Sequence, residues 1–176
     1  MARNIKSEDS PVYGGSAMGS MSTTHDDNGV IDNALEILRR RMRIPGELLT
    51  DPRTVRDYLT LQLAEEEHEK FCILLLDTRH RVIAEAGDNG LVTMFTGTID
   101  GCSVYPREVV KLALQYNAAA VVLSHNHPSG LPEPSRADIQ LTKRLTEALA
   151  LVDVRVLDHI IIGGLEFCSF AERGLI

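Results

Sequence analysis

The sequence predicts an α/β fold, a mixed β-sheet with flanking helices. Two continuous apolar runs, FCILLLD at 71–77 and AAVVLSH at 119–125, read as strands buried on both faces. Segments with helical apolar spacing alternate with strand-like runs through the second half of the chain. A βαβαβ order of this kind packs helices onto a sheet.

Residues 1–28 are rich in Ser, Gly, Met, Thr and Asp and carry no periodic apolar pattern. They bury too little to offset the entropy of ordering, so a disordered tail is expected there. Ile31, Leu35, Leu38 and Met42 recur at helical spacing and predict a helix over 31–43. A second helix begins at DPRTVRDYL, where Asp51 is placed to cap and Pro52 suits the first helical position. These helices form an N-terminal helical segment, 29–68, ahead of a main domain at 69–176. After the 71–77 strand, Thr78, Arg79 and His80 turn the chain into RVIAEAG, the expected hairpin partner, and LVTMFTGT (91–98) reads as a third strand. Pro106 opens a helix that runs to Gln115, and the 119–125 strand follows. HPSGLPEPS is a loop stiffened by three prolines and freed by one glycine. Residues 135–149 form an amphipathic helix with Ile139, Leu141, Leu145 and Leu149 apolar. VRVLDHIIIGG and EFCSF read as a strand pair turned at Gly163 and Gly164.

At 176 residues, 44% of them apolar, the chain suits one domain with a tail. No run approaches the roughly 18 apolar residues of a membrane span. The N-terminus also lacks the apolar stretch of a secretory signal, so a cytoplasmic protein is expected. With 25 acidic against 18 basic side chains, the net charge is -7. That argues against broad, charge-driven nucleic-acid binding. The RRRMR run at 39–43 reads as a solvated helix face. Three cysteines with no CxxC pair indicate neither a disulfide framework nor a cysteine zinc knuckle. Cys72 and Cys168 lie in apolar runs and read as buried, inert thiols.

The chemistry concentrates in SHNHPSGLPEPSRAD, 124–138. His125 and His127 are two apart at a strand end, so their imidazoles point to one side. Asp138 follows eleven residues later, in the first turn of a helix that the loop can fold back over the strand end. Two imidazoles and a carboxylate suit Zn²⁺. Three protein ligands leave the fourth position open to water, whose pKa zinc lowers toward about 7. Ser135 and Asp138 also match a capping box, in which serine caps the helix and the acid reaches back. The two readings are compatible, because a capped helix end holds Asp138 in place.

His-x-His, seven residues, Ser, two residues, Asp is similar to the JAMM metal motif of the JAB/MPN metalloproteases. The segments YPREVVKLALQYNAAAVVLSHNHPSG, PEPSRADIQLTKRL, DHIIIGG and SFAERGLI resemble the RadC-like branch of that superfamily. The likeness runs from about Glu69 to the C-terminus. It implies the JAB/MPN architecture, which is cytidine-deaminase-like, and a zinc site of His125, His127 and Asp138. It implies that Ser135 donates to the oxyanion of a tetrahedral intermediate, and that an upstream glutamate at a strand start takes a proton from the water. Glu69 matches that place; Glu65, Glu66 and Glu67 compete with it. His159 is either a residue standing behind the metal ligands or an ordinary hydrogen-bonded histidine on a strand. Asn126 stands where JAMM peptidases usually have Ser or Thr, a feature of the RadC-like branch. Longer RadC-like proteins carry a helix-hairpin-helix region whose glycine-bearing hairpins are not visible in residues 1–68, so a short form is expected.

The expected function is a zinc-dependent hydrolase acting on a peptide or isopeptide bond. The rival readings are a DNA repair-associated, nucleic-acid-linked role and a non-catalytic zinc-binding module. A zinc nucleobase deaminase is set aside, because the PCxxC it requires is missing.

Overall fold

The structure is a computed structural model that describes residues 24–43, 52–87, 90–97 and 104–176; for 24–26 and 39–43 it describes the backbone alone. The elements run α1 (Thr24–Arg43), α2 (Pro52–Leu63), β1 (Glu69–Leu76), β2 (Leu91–Gly97), α3 (Pro106–Gln115), β3 (Ala120–Asn126), α4 (Arg136–Ala150), β4 (Arg155–Gly163) and β5 (Glu166–Ser169). The predicted α/β class holds: five strands form one mixed sheet in the order β2-β1-β3-β4-β5. Among the described strands only β3 and β4 pair in parallel, and α4 makes the crossover between them.

The apolar runs divide by strand parity. Phe71, Ile73 and Leu75 of β1 join Val121 and Leu123 of β3 against Val109 and Ala113 of α3 and Leu145 and Leu149 of α4. Cys72, Leu74 and Leu76 join Ala120 and Val122 against Leu35 of α1 and Val55, Tyr58, Leu59 and Leu63 of α2. The sheet is therefore covered on both faces. That explains why β3 is buried at all seven positions, and why its sequence is a continuous run rather than an alternation.

Two expectations change. RVIAEAG is not a strand. Val82 makes one isolated bridge to Leu76, and the chain then turns, with Ile83 packed against and Ala86 inside the α3/α4-side core. Leu91–Gly97 takes the place beside β1 instead, so the hairpin partner is β2. The first helix starts at Thr24 rather than at residue 31, so it takes in 24–28, which composition assigned to the tail. Residues 1–23, the Asp51 cap, the side chains of 39–43 and Cys102 lie outside the described parts. Cys72 and Cys168 are buried, and burial pushes both thiols up, as inert cysteines require. No helix among the described residues is long and apolar enough to cross a membrane.

Candidate metal centre

His125 and His127 occupy the C-terminal end of β3 and the residue beyond it. Their parity continues Val121 and Leu123, so both imidazoles emerge on the α4 face. The His127 N–H donates to the Ile162 carbonyl (2.8 Å), which prolongs the pairing with β4 past the strand end. The loop then folds back tightly. A Cβ at Gly163 would stand 2.6 Å from the Pro132 nitrogen, so only glycine lets the loop lie on the end of β4. Arg173 ties the same loop to the C-terminal segment through two 2.9 Å bonds to the Glu133 carboxylate.

The loop delivers the start of α4. Ser135 is its N-cap: the Asp138 N–H donates to Ser135 Oγ (3.1 Å), and the Ser135 N–H donates to Asp138 Oδ2 (2.7 Å). The capping box is present and fixes the Asp138 carboxylate, which is buried. Its Oδ1 lies 3.4 Å from His125 Nε2 and its Oδ2 lies 3.7 Å from His127 Nε2. The two Nε2 atoms face each other at 3.0 Å.

Glu69 enters from the first residue of β1, with Oε1 3.9 Å from His125 Nε2. Glu69, His125 and His127 bring ligand atoms within 4.8 Å of one another, a group that could hold a metal ion. The competing glutamates are placed differently. Glu66 pairs with Lys70 Nζ (2.6 Å), and Glu65 and Glu67 are exposed.

Asn126, between the histidines, points to the other face and is buried. Its Nδ2 donates to the carbonyls of Glu66 and His68 (3.1 Å each), and its Oδ1 accepts the Lys70 N–H (2.8 Å). Asn126 thus clasps the backbone on both sides of Glu69. Sequence reading found no role for it. The signal was an amide side chain between two histidines at the end of a fully buried strand.

Burial pushes the His125 imidazole down to about 4, despite an upward pull from Asp138. The neighbouring Asp138 carboxylate raises the His127 pKa. Burial works against ionisation of Asp138, but the nearby His127 imidazole and the hydrogen bond from Ser135 outweigh it and hold the carboxyl well below its ordinary range. His127 Nδ1 donates to the Leu131 carbonyl (2.8 Å), so in the neutral ring Nε2 carries a lone pair. Ligands about 2.0–2.1 Å from a tetrahedral zinc stand about 3.3 Å apart. The spacings of 3.0, 3.4 and 3.7 Å among His125, His127 and Asp138 fit that geometry.

His159, on β4, is fully buried and reaches His125 Nδ1 with its Nε2 (2.8 Å). It stands directly behind a predicted ligand. Thr142, one helical turn after Asp138 and also fully buried, touches the other nitrogen of His159 (2.6 Å). Its i+4 spacing from Asp138 on one face of α4 was the available clue.

Comparison with known proteins gives a consistent picture. The family model described as the RadC-like JAB domain matches residues 49–175. A UPF0758 protein of Cellvibrio japonicus is 54% identical over 143 residues, covering 80% of this chain and 61% of its own length. One from Nitrosococcus oceani is 60% identical over 131 residues, 74% of this chain and 56% of its own. One from Aeromonas hydrophila is 57% identical over 129 residues, 73% and 55% respectively. The matched stretch thus spans a little over half the length of these relatives.

Proposed function

Because this chain belongs to the RadC-like JAB domain family, we propose that it is a zinc-dependent hydrolase of peptide or isopeptide bonds. The observation that supports this most directly is the convergence of His125, His127 and Asp138, with Glu69 beside them. In this reading the two imidazoles and Asp138 hold one zinc, and Glu69 stays off the metal as the base. A bound zinc supplies Lewis acidity, polarising a carbonyl and acidifying a water.

The chain's own groups do the rest. Glu69 takes a proton from the attacking water and returns it to the leaving amine, so the carboxylate is regenerated in each cycle. Its place on β1, braced by Asn126, sets its carboxylate 3.9 Å from His125 Nε2. Ser135 Oγ accepts from the Asp138 N–H, which leaves its own proton free to donate to the oxyanion of the tetrahedral intermediate. The same serine therefore serves as helix cap and as oxyanion donor.

Glu69→Gln tests the division of labour between ligand and base. It should bind zinc as wild type does and slow cleavage of a fluorogenic peptide library by about 10²–10⁴-fold. Loss of zinc from that variant would make Glu69 a fourth ligand and the site a closed one. Undiminished cleavage would place the base elsewhere.

A further inference from the structure

We propose that Thr142 and His159 are positioning residues that set the tautomer of His125, so that its Nε2 presents a lone pair to the metal. This rests on the metal-centre reading above and adds two residues that stand behind the ligands, His159 on β4 and Thr142 in the second turn of α4.

The order of donors follows from a group that can only accept. Thr142 Oγ1 lies 2.6 Å from the backbone carbonyl of Asp138. A carbonyl oxygen accepts, so the one hydroxyl proton of Thr142 is spent there. Toward His159 Nδ1, also at 2.6 Å, Thr142 Oγ1 must then accept, and Nδ1 carries the hydrogen. A neutral His159 therefore has its lone pair on Nε2. That lone pair accepts from His125 Nδ1 (2.8 Å), which places the hydrogen of His125 on Nδ1. His125 Nε2 is left with its lone pair directed at His127 Nε2 and Asp138 Oδ1.

The opposite order would put a proton on His125 Nε2, inside the metal site. It would also turn the Thr142 proton toward His159, leaving two acceptors, Thr142 Oγ1 and the Asp138 carbonyl, facing each other at 2.6 Å. These nitrogens are shut off from bulk solvent, since His125, His159 and Thr142 are all fully buried. Phe71 stands edge-on to His159 (5.6 Å between centroids), and Phe170 lies against its ring (4.7 Å). The relay begins at the carbonyl of Asp138, the residue whose carboxylate faces the same site. It thereby couples the α4 ligand to the β3 ligand. Partners of this kind typically change metal affinity by about 10–100-fold.

The test uses the full chain and zinc alone. Long-range ¹⁵N–¹H correlation on the imidazoles of the zinc-loaded protein should show His159 and His125 each protonated at Nδ1. In competition with a chromogenic chelator, Thr142→Val should bind zinc about 10–100-fold more weakly, and Thr142→Ser should restore wild-type affinity. A purely structural threonine would not tie affinity to the hydroxyl in this way. His159 protonated at Nε2, or Thr142→Val binding zinc as tightly as wild type, would overturn the relay. If Thr142→Val fails to fold, the wild-type spectrum still decides. A wild-type chain that takes up no zinc would overturn the metal-centre reading itself, and the same titration reads that result separately.

Discussion

Asn126 shows how a single side chain carries both fold and site. It lies between two predicted ligands but serves the opposite face, where three hydrogen bonds hold residues 66–70 against the end of β3. Two carbonyls on one side and an N–H on the other fix the amide orientation, which a Ser or Thr hydroxyl cannot reproduce. Asn126→Ala should therefore lower stability by about 2–4 kcal/mol in a denaturant melt, at roughly 1 kcal/mol for each lost bond. Zinc content should persist, because His125 and His127 remain anchored in β3. A loss below about 1 kcal/mol would show that the clasp contributes little. At this scale the sequence was partly legible. His125, His127, Asp138 and Glu69 were named from spacing and likeness, and the structure brings them together. The tasks of Asn126 and Thr142 were not legible, since each depends on what a different element places opposite it.

At the scale of elements, α4 was the most readable, because its boundary signals are chemical. Ser135 and Asp138 make the capping box that their spacing predicts, and the helix starts at the next residue. The cap also complicates any test of Ser135. Ser135→Ala removes a cap worth about 1 kcal/mol. If the hydroxyl also serves an oxyanion, the variant should slow cleavage by about 10²-fold or more. Melting temperature and zinc content measured on the same variant separate the two effects. A rate that falls only in step with lost zinc would argue against the oxyanion role. RVIAEAG was misread for a physical reason. Its apolar residues suit a strand, but His80 adopts a positive φ of 58° and the chain turns again after a single bridge, so Ile83 and Ala86 fill the core from a loop. β2 was found as a strand, but its pairing with β1 was not, since hairpin reading favours the nearest segment over one across a loop.

For the whole molecule, the continuous runs at β1 and β3 announced a sheet covered on both sides, and the two core clusters bear that out. Strand order was not available from periodicity, because it depends on which edges the helices leave open. The charge balance of 25 acidic to 18 basic side chains bears on partners. We expect any affinity of this chain for duplex DNA to be weak at low salt and lost near about 0.15 M salt, read by fluorescence anisotropy. Tight binding that survives such salt would favour the nucleic-acid-linked reading.

The central claim is that one metal ion sits among His125, His127 and Asp138, and elemental analysis tests it most directly. Wild-type chain purified without chelators should carry about one zinc, as a site with three protein ligands requires. His127→Ala should carry far less while keeping a cooperative melt, because the core lies between the sheet and its helices. Full zinc in His127→Ala, or no bound metal in the wild type even after zinc is supplied, would contradict the account.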